Sequence, residues 1–378
     1  MTSLGVKDTK TKKAARFSAG GLAVAVLSIV TLFFVMRFPD VAIEYMQRGL
    51  GLCVRVVIPS LFPFMVVSEL IVRSGAASYF AKPLGVFSQR LFGVRGEGAT
   101  AFLLGIICGF PIGTRAAVSL YRRREISFEE LQRLVCFSNN PSSAFVISAV
   151  GVTLFGCREF GVVLYFITVL TSVLVGVGQN ILCRPREKVQ VFSSLQKEEK
   201  ETEERGISIF SGAVNSAALS MLSVSAFVVF FSTFTGTVGE LVSYTGLDES
   251  FSALLFSFFE LTSGAASAAC VRPLSVAILI TAFAVGWSGL SVHFQVISIC
   301  EGLGLSLGRY FFSKLLQGVL NALFVWIYFL LFGNTLDFEV QSVSAFLNFS
   351  NEPTIIGATV GISFFLALVT CVFAKKNN

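Results

Sequence analysis

The sequence predicts an all-α polytopic membrane protein with two inverted-topology repeats, each containing one re-entrant helical hairpin and one discontinuous helix. Composition is the first observation: hydrophobic residues make up 54% of the chain, mean hydropathy is +0.77, and only 14% of residues are charged. Soluble domains carry about 25% charged residues. The second observation is a pair of breaks in apolar sequence that recurs about 150 residues further along the chain. Paired breaks in matching places of two membrane halves are typical of transporters.

Each half contains a short Gly/Pro/polar turn inside an apolar stretch, followed by a second interruption. The turns are 109–113 and 260–264, and the interruptions are 138–141 and 287–289. Unwound backbone is costly in lipid, so it persists only where protein or a water-filled cavity supplies hydrogen-bond partners. The breaks are therefore candidate functional sites. The alternative interpretation is ordinary loops between full-length helices.

Eight crossings and two half-depth hairpins fit the apolar pattern, since one span takes about 20 residues. The hairpins are predicted at 99–122 and 251–272. Each of their arms has about 11 residues and reaches about 16 Å, half of the hydrocarbon core. The crossings are predicted at 17–36, 50–72, 128–157, 160–182, 208–233, 274–306, 311–333 and 353–374. Of these, 128–157 and 274–306 are the discontinuous helices.

Five parts follow from this layout. They are an N-terminal segment with the first transmembrane helix (1–45), a first repeat (46–183), a charged cytoplasmic linker (184–206), a second inverted repeat (207–334), and an outer loop with the last transmembrane helix (335–378). The first apolar run, 17–36, is long enough to span and lacks a small-residue cleavage site, so we expect it to be retained.

Basic residues indicate the orientation, because cytoplasmic loops of membrane proteins are enriched in Lys and Arg. With the N-terminus inside, most of the 29 Lys and Arg residues fall on the cytoplasmic side, Lys314 among them. We therefore expect both termini in the cytoplasm and the connection 236–250 outside.

Catalytic and metal-binding motifs are missing from the sequence. The eight cysteines are scattered without a CxxC pair, and His293 is the single histidine, so neither zinc nor an iron–sulfur cluster fits. There is no phosphate-binding loop with Lys, no GxSxG and no His/carboxylate cluster. We expect no enzyme activity, no cofactor and no nucleic-acid partner. The expected partners are the lipid bilayer and a small solute, and a homo-oligomer is compatible with the pattern.

Helices that begin in mid-membrane present free N–H groups and a partial positive charge, which suits a carboxylate or another acceptor-rich ligand. Four such starts, after Pro111, Asn140, Gly264 and Gly289, are expected to converge on one pocket. The candidate substrate-binding residues are Gly109, Pro111, Gly113, Thr114, Arg115, Asn139, Asn140, Ser142, Ser143, Thr262, Ser263, Ser288, Ser291, His293 and Gln295.

Three of the ionisable residues are predicted to lie deep in the membrane, where such groups are functional candidates by default. Arg115 is expected to clamp a carboxylate through two parallel hydrogen bonds. Glu260 is the candidate ion-coupling residue, as a proton carrier or a cation ligand, and a structural ion pair with Arg115 is the alternative. His293 is expected to bind solute or titrate, or to be satisfied by backbone carbonyls.

Four motifs carry a resemblance to a known family: 105–113, 138–145, 259–264 and 289–295. With these motifs the chain resembles the YlbJ-type sporulation integral membrane proteins, within a wider nucleoside-recognition (Gate) group related to concentrative nucleoside transporters. The resemblance spans roughly 45–335. It implies a role in endospore formation, in the mother-cell-derived membrane around the forespore, with dipicolinic acid or a similar small dicarboxylate as solute.

The leading functional hypothesis is a secondary transporter of a small anionic or polar solute. One alternative is a nucleoside symporter driven by protons or sodium. Another is a non-transporting membrane scaffold for sporulation, in which the breaks would be packing kinks only.

Overall fold

The computed structural model describes residues 19–182 and 206–332, which form helices and turns without any strand. In chain order the helices are α1 (Ala19–Arg37), α2 (Pro39–Leu52), α3 (Ile58–Arg73), α4 (Ala77–Phe92), α5 (Gly96–Cys108), α6 (Ile112–Arg122), α7 (Phe128–Phe137), α8 (Arg158–Leu182), α9 (Gly206–Thr245), α10 (Glu249–Phe259), α11 (Leu261–Cys270), α12 (Leu274–Trp287), α13 (Gly289–Ile299) and α14 (Leu307–Phe332). Two π-helical segments, Cys53–Val57 and Phe145–Leu154, follow α2 and the break after α7.

Both halves show the same order of elements: a hairpin, a broken helix and a straight helix. The first half has α5–α6, then α7 with its π-helical continuation, then α8; the second has α10–α11, α12–α13 and α14. The hairpins predicted at 99–122 and 251–272 lie at 96–122 and 249–270. A broken helix, α8 and α9 separate the two hairpins. If each crosses the membrane once, the hairpins enter from opposite faces, as inverted repeats require.

Glycines let the first hairpin close around the first break. A Cβ on Gly105 would lie 1.9 Å from the Ser138 carbonyl oxygen, and a Cβ on Gly113 would lie 2.2 Å from the same atom. The two arms of this hairpin therefore straddle the Ser138 carbonyl at a distance that only glycine permits. In the second half, Gly289 of the break packs against the hairpin tip, where its Cβ would approach the Leu261 nitrogen to 2.9 Å. Each hairpin tip thus contacts the break of its own half.

The first broken helix begins with a capping box, as the spacing of Ser127 and Glu130 predicts. The Ser127 hydroxyl accepts from the Glu130 amide at 3.3 Å, and the Glu130 carboxylate accepts from the Ser127 amide at 2.7 Å. Helix α7 then ends at Phe137, and the chain runs non-helically from 138 to 142. The second half of this helix is π-helical, a feature that the sequence does not predict.

The second broken helix changes direction at two consecutive residues with left-handed backbone. Ser288 has φ +73° and Gly289 has φ +77°. Helix α13 ends at Ile299, earlier than the predicted end at 306, because Gly302 and Gly304 also have positive φ and turn the chain.

Four helices of the described residues are long and apolar enough to cross a membrane: α8, α9, α12 with α13, and α14. A fifth candidate is the pair 85–92 and 96–108, which is bent by 84°. Large apolar side chains such as Phe166, Leu330 and Leu331 are exposed, as expected of a surface in contact with lipid. The structure is that of an all-α, multi-pass membrane protein.

Several predicted boundaries differ from the structure. The crossing predicted at 50–72 belongs to a longer helical run from Pro39 to Arg73, and α9 extends to Thr245, past the predicted end at 233. Helix α4 was not predicted, because Lys82 and Pro83 interrupt its apolar pattern. The crossing at 353–374, the parts 1–18 and 335–378, and most of the linker 184–206 lie outside the described residues.

Helix α14 joins the two halves, since it packs against α7 and α8 of the first and α12 of the second. The first break lies beside it. A cluster of rings covers the other side of α7, where Phe137 contacts Phe92 at 4.8 Å and Phe102 at 5.0 Å between centroids. The break is therefore held between an aromatic core and a helix with polar residues.

Candidate functional site

A cavity of about 220 Å³ lies at the tip of the first hairpin, between α6, α9 and α13. Its polar lining consists of Arg115 from α6, a stripe of serines from α9, and Gln295 with Ser298 from α13. The full lining is Pro111, Arg115, Ser216, Leu219, Ser220, Ser223, Val224, Gln295, Ser298 and Ile299. The serines 216, 220 and 223 share one helical face because they recur at spacings of four and three residues. We call this space the Arg115 cavity.

Arg115 is held at the cavity wall by partners on two other helices. Its guanidinium donates to the Glu69 carboxylate at 3.1 Å and to the Ser216 hydroxyl at 2.9 Å. Glu69 also pairs with Arg73 at 3.3 Å, so the three side chains carry one net positive charge. The ion pair between Arg115 and Glu260, the alternative role of Glu260, is not formed. Glu69, which lies 46 positions from Arg115 in sequence, takes that place.

Glu260 caps the start of α11 with both of its carboxylate oxygens. One oxygen accepts from the Thr262 amide at 2.9 Å and the other from the Ser263 amide at 2.6 Å. The side chain is buried. The helix expected to start after Gly264 therefore starts at Leu261. Its free N–H groups already bind the Glu260 carboxylate, so they are not available to an anionic ligand. The predicted set of four free helix starts is wrong at this position.

We expect Glu260→Gln to lower the stability of the protein by about 1 kcal/mol, since a carboxamide accepts with one oxygen only and has no charge for the helix dipole. The melting temperature of the purified protein in detergent measures this loss. Asp248→Asn is the matched control, because Asp248 caps α10 from an exposed position. The hydrogen bond from Ser250 lowers the pKa of Asp248. If Asp248→Asn lowered the melting temperature more than Glu260→Gln, the conclusion that the buried Glu260 is the more important cap would be contradicted.

The two asparagines of the first break have different environments. Asn140 is fully bonded: its amide nitrogen donates to the Phe137 carbonyl at 2.9 Å and to Ser172 at 3.0 Å, and its oxygen accepts from Gln317 at 2.8 Å. Asn139 is equally buried, but its side-chain oxygen has no partner. Asn139 is therefore the better candidate for a solute contact, whereas Asn140 holds the break in place.

Lys314 is completely buried beside this break. Its ammonium donates to the Asn139 carbonyl at 2.8 Å and to the Gln317 side-chain oxygen at 2.7 Å. The prediction that Lys314 is a cytoplasmic charge is wrong. A sequence signal existed, since Lys314, Gln317 and Asn321 recur on one face of an otherwise apolar helix.

His293 extends the buried polar cluster toward the second repeat. Its Nδ1 lies 2.8 Å from the Tyr310 hydroxyl, and its Nε2 has no partner. The ring packs against Trp287 at 4.2 Å and Phe311 at 5.1 Å between centroids. The alternative that backbone carbonyls satisfy this histidine is not what the structure shows.

The predicted site residues thus divide into three groups. Pro111, Arg115 and Gln295 line the Arg115 cavity, and the side-chain oxygen of Gln295 is buried without a partner. Asn139, Asn140 and His293 lie in the buried cluster around Lys314. The remaining residues lie at the hairpin tips and breaks and are Gly109, Gly113, Thr114, Ser142, Ser143, Thr262, Ser263, Ser288 and Ser291.

Several of these remaining residues have identifiable contacts. The Thr114 hydroxyl is buried without a partner. Ser142 accepts from the Phe145 amide at 3.2 Å, and a Cβ on Gly109 would lie 2.6 Å from the Ser142 nitrogen. Ser288 donates to the Val285 carbonyl at 3.4 Å. Ser142 and Gly109 therefore serve the local backbone in the first half, as Ser288 does in the second.

No group of three or more His, Cys, Asp and Glu side chains that would suit a metal ion occurs in 19–182 or 206–332. The polar residues of the site are mainly amides, hydroxyls and single cations. Such a set offers hydrogen-bond donors and acceptors together with positive charge.

Fold and site together define a multi-pass membrane protein with paired hairpins and broken helices around buried polar residues. The chain is 29% identical over 320 residues to the sporulation integral membrane protein YlbJ of Bacillus subtilis (strain 168), covering 77% of this chain and 78% of that protein. This similarity supports the YlbJ-type resemblance that the motifs predict. No family model matches the chain. No solved structure matches it.

Proposed function

We propose that the chain is a secondary-type transporter that binds a small anionic or polar solute in the Arg115 cavity. The observation that carries the proposal is the cavity itself, which places a guanidinium, several serine hydroxyls and a partnerless Gln295 oxygen inside a membrane helix bundle. Ionisable and unsatisfied polar groups are expensive inside a membrane and mark solute pathways in membrane proteins.

The size and charge of the cavity favour a small acid. Its volume of about 220 Å³ is below the range of about 300–1,000 Å³ for drug-sized ligands. The net positive charge of Arg73, Glu69 and Arg115 favours an anion, and a guanidinium binds a carboxylate with two parallel hydrogen bonds. An aromatic dicarboxylate would also contact the apolar part of the lining.

The similarity to a sporulation protein supports a membrane role in sporulation. With the cavity chemistry, it leads us to propose dipicolinic acid as the solute, moved across the mother-cell-derived membrane around the forespore. A nucleoside symporter and a non-transporting scaffold are the competing functions. A nucleoside has no carboxylate for the Arg115 guanidinium to bind, and a scaffold would not need a charged cavity.

Exchange of labelled dipicolinate across proteoliposomes that contain only this protein tests the proposal. We expect exchange that unlabelled dipicolinate inhibits and uridine does not. Inhibition by uridine with no effect of dipicolinate would favour the nucleoside symporter. No exchange of either compound would favour the scaffold.

Replacing Arg115 is expected to separate its charge from its geometry. Arg115→Gln should weaken dipicolinate affinity by about 10- to 100-fold, since a hydrogen bond to a charged group contributes about 1.5–3 kcal/mol. Arg115→Lys should weaken dipicolinate affinity less than Arg115→Gln, because lysine keeps the charge, although it lacks the planar pair of donors. Inhibition constants from the exchange assay measure both effects.

Arg122→Gln is the matched control, because Arg122 lies on the same helix and is exposed. Its affinity for dipicolinate should equal that of the wild type. Glu69 keeps Arg73 as a partner in the Arg115 variants, so loss of folding is not expected. Equal affinity of wild type and Arg115→Gln would remove Arg115 from the binding site.

A further inference from the structure

We propose that Lys314 takes the place of a bound coupling cation at the first break, and that its proton couples solute movement to the proton gradient. The inference rests on the proposed transport function and concerns how that transport is driven. Glu260, the residue predicted to couple, has both oxygens engaged in capping α11, whereas Lys314 lies against unwound backbone.

The surroundings of the Lys314 ammonium are those of a monovalent cation. Its two acceptors are neutral oxygens, the Asn139 carbonyl at 2.8 Å and the Gln317 amide at 2.7 Å. Within the described residues no carboxylate lies within 4.0 Å of it. Carbonyls of interrupted helices coordinate sodium or protons in transporters with inverted repeats. The lysine therefore supplies, from the chain itself, the charge that a free cation would bring.

Lysine is able to give up its proton, whereas arginine stays charged at any attainable pH. A buried ammonium without a counter-ion depends on the few oxygens that solvate it. One of the two oxygens here belongs to the backbone of the break, so a movement of the break changes how firmly the amine holds its proton.

Direct packing connects the break to the Arg115 cavity. Gly105 and Gly113 of the first hairpin straddle the Ser138 carbonyl, one residue before Asn139. The tip of the same hairpin carries Pro111 and Arg115 into the cavity wall. A solute that moves this hairpin shifts the break, and with it the carbonyl that binds Lys314.

In 19–182 and 206–332, few titratable groups face Lys314 from the elements packed against it. They are Cys136 on α7, Tyr310 on its own helix and His293 on α13. The adjacent faces of α8 and α12 present neutral residues, including Thr168 and Gly286. In the proposed step the ammonium releases one proton to water at one membrane face, and the amine later takes one from water at the other. No other bond is made or broken.

The test compares gradient-independent exchange with gradient-driven uptake of dipicolinate in proteoliposomes. In the wild type we expect exchange without a gradient. We also expect that an imposed pH gradient accelerates uptake, whereas a sodium gradient does not. Lys314→Gln and Lys314→Arg should keep exchange but lose acceleration by the pH gradient. Arg122→Gln should behave as the wild type.

Three results would contradict the inference. If the pH gradient still accelerated uptake in Lys314→Gln, the coupling proton would lie elsewhere. If it also failed to accelerate uptake in His293→Gln, the coupling proton would lie on His293. If a sodium gradient accelerated uptake by the wild type, the coupling cation would be sodium and not the Lys314 ammonium. Absence of exchange in the wild type would overturn the transport function itself and the inference with it, so the two failures are distinguishable.

A binding measurement tests the cation site without transport. Purified Lys314→Ala should show a higher melting temperature in ammonium chloride than in tetramethylammonium chloride at equal concentration, because ammonium fits between the two oxygens. Wild type should show no difference between the salts, and neither should Lys314→Met, whose side chain fills the space. An equal response of Lys314→Ala to both salts would contradict the cation site.

Discussion

Alanine at Gly105 is expected to disrupt the fold more than any other single methyl group added to the first hairpin. Its Cβ would lie 1.9 Å from the Ser138 carbonyl oxygen, which is backbone at a break and has no room to move between the two arms. Overpacking of this kind costs about 1–3 kcal/mol or more. We therefore expect a loss of at least about 3 kcal/mol, measured as a large fall in melting temperature and in protein level in the membrane.

Gly178→Ala is the matched control. Gly178 is also helical, and a Cβ there meets no atom within 4 Å, so the change should be neutral or stabilising by about 0.5–1 kcal/mol. Gly113→Ala should resemble Gly105→Ala, because its Cβ would approach the same oxygen to 2.2 Å. A melting temperature of Gly105→Ala equal to that of Gly178→Ala would show that the hairpin does not enclose the Ser138 carbonyl.

Asn140→Ala is expected to have the second largest effect. The change removes three buried hydrogen bonds, to Phe137, Ser172 and Gln317. A buried polar group left without its partner costs about 1–3 kcal/mol, so we expect a loss of about 3 kcal/mol. The melting temperature of the purified variant measures it.

Asn139→Ala should behave differently, because Lys314 binds the backbone carbonyl of residue 139 and not its side chain. We expect nearly normal protein level, since the Asn139 side chain donates one long hydrogen bond, to the Tyr310 hydroxyl at 3.5 Å. We also expect a loss of dipicolinate exchange, since the change removes the partnerless side-chain oxygen from the break that the hairpin moves. Because the sequence makes both asparagines candidate substrate-binding residues, it predicts loss of transport at normal protein level for each of them. From the structure we expect this outcome only for Asn139, because Asn140 holds the break in place. Equal stability and equal transport loss in the two variants would contradict this distinction.

Sequence reasoning located the hairpins and the breaks because glycine, proline and consecutive polar residues are conspicuous in apolar sequence. Gly109, Pro111 and Gly113 mark the first hairpin tip, and Ser288 with Gly289 marks the second break. These residues act through local backbone geometry, which a sequence shows directly. The helical order of both halves follows from them.

Partners across the fold could not be predicted in the same way. Glu69 binds Arg115 from another helix, and no local pattern connects the two residues. The positive-inside rule assigns Lys314 to the cytoplasm, because it lies near the cytoplasmic end of a predicted crossing. The polar stripe with Gln317 and Asn321 indicates a buried role instead. Hydropathy averaged over a window hides such a stripe, since most other residues of α14 are apolar.

Protection of a cysteine in the Arg115 cavity by solute tests the central claim most directly. Ser298 lines the cavity and is exposed, so the thiol of Ser298→Cys should react with a maleimide. Cys270 is also exposed and lies outside the cavity lining, which makes it an internal control in the same molecule. Peptide mass spectrometry follows both sites. We predict that dipicolinate slows labelling at position 298 and leaves Cys270 unchanged, whereas unchanged labelling at 298 during active dipicolinate exchange would contradict the proposed site.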